Sequence, residues 1–97
     1  MANRILSIVI PAYNEGATIH FILDKVRAVA LPENMGKQVI IVNDCSKDNT
    51  EEAIKRYMDQ YPETGIVYLK HEVNAGKGAA LHTGIKHATG DFVIIQD

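Results

Sequence analysis

The 97 residues suffice for one domain with a modest core, because a chain of this size buries only about two-thirds of the surface it exposes when unfolded. Apolar residues make up 46% and charged residues 23%, a soluble globular balance, and a formal charge of −2 gives no electrostatic pull toward nucleic acid or an acidic membrane. The single Cys45 excludes an internal disulfide and fits a reducing, cytoplasmic compartment, and no stretch approaches the ~18 apolar residues of a membrane span.

Taken in chain order, the hydrophobic pattern alternates between short apolar runs and helical periods. Ile5 to Ile10 is a run rich in β-branched residues, too short for a helix, that stops at Pro11. It reads as a strand covered on both faces, and as neither signal peptide nor anchor. Between Ala17 and Ala30, Ile19, Ile22, Leu23, Val26 and Val29 recur at helical spacing, with Asp24, Lys25 and Arg27 elsewhere around the helix. Pro32 and Gly36 mark the connection to a second buried strand, Val39 to Val42.

A turn-rich segment, Asn43 to Asn49, leads into a helix beginning near Thr50, where Glu51 and Glu52 suit the positive end of the helix dipole. Ala53, Ile54, Tyr57, Met58 and Tyr61 form its inner stripe, and Pro62 with Gly65 ends it. Ile66 to Leu69 is a third strand. Gly76 to about Thr89 is a third helix, with Ala79, Ala80, Ile85 and Ala88 inward and Gly90 as its stop. Phe92 to Ile95 is the fourth strand.

The order β-α-β-α-β-α-β demands parallel pairing, hence an α/β, Rossmann-like three-layer fold. Right-handed crossovers in such a doubly wound sheet predict the strand order 3-2-1-4. That order reverses between the first and fourth strands, where a crevice opens beyond the strands' carboxyl ends. The loops Pro11–Gly16, Asp44–Asn49 and Asn74–Gly78 are expected around it, with Asp97 joining them.

Each of these loops has two readings. Turn chemistry accounts for Pro11 and Asn14, the latter as a cap of the next helix. Alternatively, Tyr13 offers a stacking surface and Glu15 accepts hydrogen bonds from sugar hydroxyls. Asp48 or Asn49 suits a helix cap, whereas Asp44 ends its strand and can accept an N–H from a nucleobase edge. Gly76, Lys77 and Gly78 open a helix, so they serve either tight packing or the approach of an anion. The spacing is not that of a Walker A loop, and no GxGxxG follows the first strand. Asp97 is either a polar strand end or a carboxylate facing a cation.

Together these residues resemble the family 2 glycosyltransferases of the GT-A fold, in particular the dolichyl-phosphate mannose and glucose synthase branch. The resemblance rests on Ser7–Glu15, Val42–Thr50, Asn74–Leu81 with Gly84, Ala88–Asp91 and Ile94–Asp97, and it covers essentially the whole chain. It implies that Pro11, Ala12, Tyr13 and Glu15 lie along the base and ribose of a nucleotide-diphosphate sugar. It also implies that Asp44 accepts from the base and that Gly76 and Lys77 lie near the nucleotide. Asp97 matches the first aspartate of an Asp-x-Asp motif that holds Mg²⁺ or Mn²⁺ against the donor's diphosphate. Asp91 matches a recurrent family aspartate and reads as structural.

Two departures stand out: Asn43 precedes Asp44 where two aspartates are usual, and Cys45 occupies a position where Gly is common. The resemblance further implies that residues 1–97 are the nucleotide-sugar-binding N-terminal part of a catalytic domain, broken off at the start of the Asp-x-Asp motif. On that reading the second metal aspartate and the catalytic base lie beyond residue 97, and these residues alone are inactive. The parent would transfer a hexose with inversion from a GDP-mannose or UDP-glucose type donor to polyprenyl phosphate or a glycan, at the cytoplasmic face of a membrane. The apolar fourth strand would promote self-association. Topology alone leaves open a non-catalytic nucleotide-binding or signalling module of flavodoxin-like form, and more remotely a sugar-nucleotide pyrophosphorylase.

Overall fold

In a computed structural model that describes residues 4–97, strand β1 (Arg4–Ala12) is the spine of the sheet. It pairs in parallel with β2 (Met35–Asn43) along its whole length, from Arg4↔Met35 to Ala12↔Asn43. Strand β3 (Val67–Lys70) continues the sheet beyond β2, and β4 (Phe92–Ile95) pairs with β1 on its other side. The order is β3-β2-β1-β4, all parallel, as the crossover rules require.

Alternation along the strands divides the core between two faces. Ile8 and Ile10 of β1, with Val39 and Ile41 of β2, pack against helices α1 (Ile19–Ala28) and α2 (Thr50–Gln60) through Ile19, Leu23, Val26, Ile54 and Tyr57. Ile40 and Val42 face the other way, onto Ala80 of α3 (Lys77–His87). Each fully buried aliphatic side chain of this kind contributes roughly 1.5–3 kcal/mol.

Several expectations need correction. Strand β1 does not stop at Pro11 but runs through it to Ala12. The carbonyls of Ile5 and Val9 accept from Asp91 and Gln96 on the β4 side, so Pro11 turns its nitrogen to that same side. Pairing with β4 has ended there, at Val9↔Ile95, and no donor is needed. Gly36 lies inside β2, opposite Ile5, and is not part of the connection. Val29 falls beyond α1 in extended backbone and is half exposed. Pro62 does end α2, through a single 3₁₀ turn, Pro62–Thr64.

Helix α3 differs most from its predicted face. Its buried positions are Ala80 and Gly84, while Ile85 is 47% exposed. The reason is close approach: a Cβ on Gly84 would stand 2.3 Å from Val9 Cγ1. The smallest residues, not the largest, mark the packed side of this helix. Nor is Gly90 its stop, since α3 ends at His87 with Ala88 extended. Gly90 instead lets the chain pass against β1, donating its N–H to Ser7 Oγ at 2.9 Å.

Ser7, fully buried in β1, donates in turn to Gln38 Oε1 at 2.6 Å, and Asp91 Oδ2 accepts the Ile5 N–H at 2.8 Å. Asp91 therefore ties down the amino ends of the strands, far from the crevice.

The close seat of α3 gives a direct test. Gly84→Ala should destabilise the chain by about 1–3 kcal/mol, lowering its melting temperature, because Val9 has no room to yield. Gly78→Ala, on the same helix, meets nothing within 4 Å and should be neutral or stabilising. Thermal unfolding of both variants checks the contrast.

Candidate functional site

The carboxyl ends of the strands carry the loops that were expected to converge, and they do. A cleft of about 320 Å³ is lined by Pro11, Ala12, Tyr13 and Glu15 from the first loop and Asp44 from the second. Asn74, Gly76, Lys77 and Ala80 line it from the third crossover, and Asp97 from the end of β4. That volume falls at the lower end of small-ligand sites. A larger groove of about 480 Å³ opens at the amino ends of the strands, beside Met35 and Lys37. Its cations are already engaged: Lys37 Nζ donates to the carbonyls of Val26 and Arg27, and Arg27 Nε to the Tyr57 hydroxyl.

The first two loops are fastened to each other. Asn14 adopts a left-handed backbone (φ 53°) and does not cap α1. Its N–H donates to Ser46 Oγ at 2.9 Å and its Oδ1 accepts from Lys47 N at 2.8 Å. Glu15 N donates to Thr50 Oγ1 and Gly16 N to Asp48 Oδ2. Asp48 also accepts from the backbone N–H and hydroxyl of Thr50, so it does the helix-entry work expected of Asp48 or Asn49. The Thr50 hydroxyl first, with the Gly16 and Thr50 amides, outweighs desolvation and holds the Asp48 carboxyl below its ordinary range. This bracing leaves Tyr13 41% exposed on the cleft wall.

Asn43 is buried and bonded through both ends of its amide. Its Oδ1 accepts from the Ser46 N–H and hydroxyl, and its Nδ2 donates to the Tyr68 hydroxyl, which donates to Glu51 Oε1. An amide fits this chain of bonds because it both donates and accepts. Cys45 takes a left-handed backbone (φ 57°), the region that favours glycine; a side chain there costs about 1–2 kcal/mol.

Asp44 is 3% exposed, and its carboxylate faces the start of α3. Oδ1 accepts from Ala75 N at 3.0 Å and from His71 Nδ1 at 2.8 Å, and Oδ2 accepts from Gly76 N at 2.8 Å. Burial pushes the Asp44 carboxyl up, but the Ala75 amide, His71 and the Gly76 amide together hold it below its ordinary value. A carboxylate has about four acceptor positions, so three are filled and one remains on Oδ2. Asp44 was expected at the end of its strand as an acceptor for a base; it does line the crevice, and it also braces it, keeping a single acceptor position on Oδ2.

Lys77 and Asp97 form an ion pair across the cleft, with side chains 57% and 58% exposed. The first helical hydrogen bond of α3 is Ala80 N to Gly76 O, so the N–H groups of Lys77, Gly78 and Ala79 open toward this end.

Residues 7–97 match the model of the family described as glycosyl transferase family 2. The chain belongs to glycosyl transferase family 2. The membership replaces the flavodoxin-like signalling and pyrophosphorylase readings that topology alone left open. A dolichyl-phosphate beta-glucosyltransferase of Trichomonas vaginalis is 39% identical over 101 residues, which cover 99% of this chain and 31% of that protein. The mannosyltransferase PcManGT of Pyrobaculum calidifontis, solved with GDP-Man and Mn²⁺, aligns with a TM-score of 0.86 and 30% identity, over 95% of this chain and 26% of its own. Residues 1–349 of TarS from S. aureus, solved with UDP-GlcNAc, align at 0.82 and 26% identity, over 100% and 26%. The chain thus spans under a third of the length of these relatives.

In this family 2 chain all the anticipated residues meet in one cleft, but Asn74, Ala80 and His71 were not singled out. Asn74 Nδ2 donates to the Asp44 carbonyl at 3.2 Å, holding the second and third loops together. A signal for His71 was available: it directly follows β3 as Asp44 directly follows β2, so both reach the same rim.

The state of Asp44 links stability to pH. A carboxyl held below its ordinary 3.8 contributes fully above that value and loses its contribution progressively as pH falls from there through the lower folded-state value. Asp44→Asn should cost about 2–3 kcal/mol near pH 6, because an amide cannot accept at both oxygens' positions. The variant should also lose less stability on acidification to about pH 3.5 than the native chain does. Urea unfolding at both pH values checks this, and equal acid losses would remove Asp44 from the role.

Proposed function

We propose that residues 1–97 form the donor-binding part of an enzyme that transfers a hexose from a nucleotide-diphosphate sugar to a polyprenyl phosphate, with inversion at the anomeric carbon. One observation carries the reading: three crossover loops bring a stacking ring, a buried ionised acceptor and an open helix N-terminus to a single cleft. The named activity of the Trichomonas relative supports the acceptor class, and the GDP-Man and UDP-GlcNAc of the structural neighbours support the donor class.

In this reading the base stacks on Tyr13 and gives one N–H to the free position on Asp44 Oδ2. Pro11 and Ala12 supply the apolar floor, and Glu15 receives ribose hydroxyls on the oxygen not bonded to Thr18. The diphosphate lies toward the N–H groups that open α3, with Lys77 and Gly76 beside it. Among the described residues no cluster of three or more His, Cys, Asp or Glu could hold a metal ion by itself. The lone carboxylate of Asp97 fits a Mg²⁺ or Mn²⁺ that takes its other oxygens from the donor and water. Such an ion would neutralise charge on the departing nucleoside diphosphate. The exposed pairing with Lys77 is weak enough to be exchanged for that role. Among the described residues no helix is long and apolar enough to cross a membrane.

Isothermal titration with UDP and with GDP tests the reading. The native chain should bind at least one of them. Tyr13→Ala should bind about five- to 150-fold more weakly at unchanged stability, since stacking on an aromatic ring contributes about 1–3 kcal/mol. No heat with either nucleotide, or native affinity in Tyr13→Ala, refutes it.

The same reading extends to self-association. Phe92, Val93, Ile94 and Ile95 are 46%, 42%, 45% and 47% exposed, so both faces of β4 are open. Among the described residues β4 is also an edge strand, with β1 as its neighbour on one side only. An open apolar edge of this kind pairs readily with another chain. Sedimentation at tens of micromolar should show concentration-dependent association, and a monodisperse monomer would end the proposal.

A further inference from the structure

We infer that His71 is a positioning residue of the cleft: its imidazole holds the Asp44 carboxylate in the orientation that leaves the one unfilled acceptor position of Oδ2 open to a base, and Thr83 holds the imidazole. The inference rests on the nucleotide reading above. His71 follows β3 directly, and its N–H donates to the Asn43 carbonyl at 2.9 Å, extending the ladder by one residue. This sets the ring beside Asp44, with Nδ1 2.8 Å from Oδ1 and Nε2 2.8 Å from Thr83 Oγ1 on α3. The ring is not among the residues that line the cleft, so it reaches a ligand only through Asp44.

Two features make it a brace. The Ala75 and Gly76 amides approach Asp44 from the α3 side, whereas His71 approaches from β3. The amides take one oxygen each, and the imidazole adds a second bond on Oδ1 from a separate element, so the carboxylate is held from two sides. The second feature is the tautomer. Ionised Asp44 only accepts, so Nδ1 carries a proton. In neutral imidazole Nε2 then accepts from the Thr83 hydroxyl; in imidazolium it donates, and the hydroxyl rotates to receive it. The bond to Asp44 survives in either charge state because a hydroxyl serves both.

The test compares replacements that imitate different ring atoms. Asparagine can place an amide N–H where Nδ1–H stood, whereas the longer glutamine places one nearer Nε2. With UDP or GDP, whichever the native chain binds more tightly, His71→Gln and His71→Phe should bind about tenfold more weakly, the loss expected when one charge-assisted anchor goes. His71→Asn should stay within about threefold of native, a rescue that overall damage to the fold would not produce. Should His71→Phe fail to fold, the Gln and Asn variants still decide. Long-range ¹H–¹⁵N spectra of the free chain should show the Nδ1–H tautomer, without recourse to nucleotide.

Native affinity in His71→Gln, equal weakening in His71→Asn, or an Nε2–H tautomer overturns the inference. Absence of binding by the native chain overturns both this and the nucleotide reading, whereas native affinity in His71→Gln beside loss in Tyr13→Ala overturns only this one.

Discussion

A buried carboxylate joins the end of one strand to the start of a helix some thirty residues on, and the geometry of the cleft follows from that joint. Asp44 is removed from water almost completely, which for a lone charge would be prohibitive. It stays ionised because the donors around it are fixed in place: two successive amides at the helix entry and an imidazole on the neighbouring strand end. Those amides precede the first turn of α3 and need acceptors that the helix does not provide. The carboxylate therefore satisfies the helix and the helix satisfies the carboxylate. Neither end of the joint is free to move without stranding a buried polar group.

The joint sets where α3 begins; small residues set how near it lies. Ala80 and Gly84 replace the bulky stripe seen on α1 and α2, so the helix axis comes close to Val9 and Val42. Seated that low, α3 aims its open N–H groups at the rim of the sheet. Gly76, with φ 94°, makes the entry turn that lets its own amide reach Asp44 while the next residues start the helix. Packing, turn and charge thus agree on one position for the helix start.

Much of this was legible in the sequence. Short apolar runs and helical periods gave all seven principal elements, and connection chirality gave the strand order, because both depend on features that repeat along the chain. The lapses share a cause: they occur where a neighbour, and not the local pattern, decides. Pro11 reads as a breaker until the shorter reach of β4 shows that its nitrogen has no one to bond. Gly36 reads as a turn until β1 pairs with it. Ile85 reads as core until the nearness of the sheet gives that face to Gly84. At the cleft, the lining residues from dense polar loops were anticipated from spacing and resemblance. His71 and Asn14 act by bonding across loops, which no single stretch of sequence displays.

The charges at the cleft fall into two energetic classes, and the division follows their exposure. Asp44 sits where water is excluded and each of its bonds has a fixed partner, so exchanging those partners would leave donors of the fold itself unpaired. Lys77 and Asp97 sit with more than half of each side chain in water, where an ion pair contributes at most about 1 kcal/mol. In the proposed reading an incoming diphosphate offers Lys77 a stronger partner, and Asp97 is released toward a cation at little cost to folding. A site that must both keep its shape and take up a highly charged ligand gains from this separation. The buried carboxylate braces the cleft, and in the proposed reading the exposed pair keeps its two charges apart from the fold until a ligand claims them.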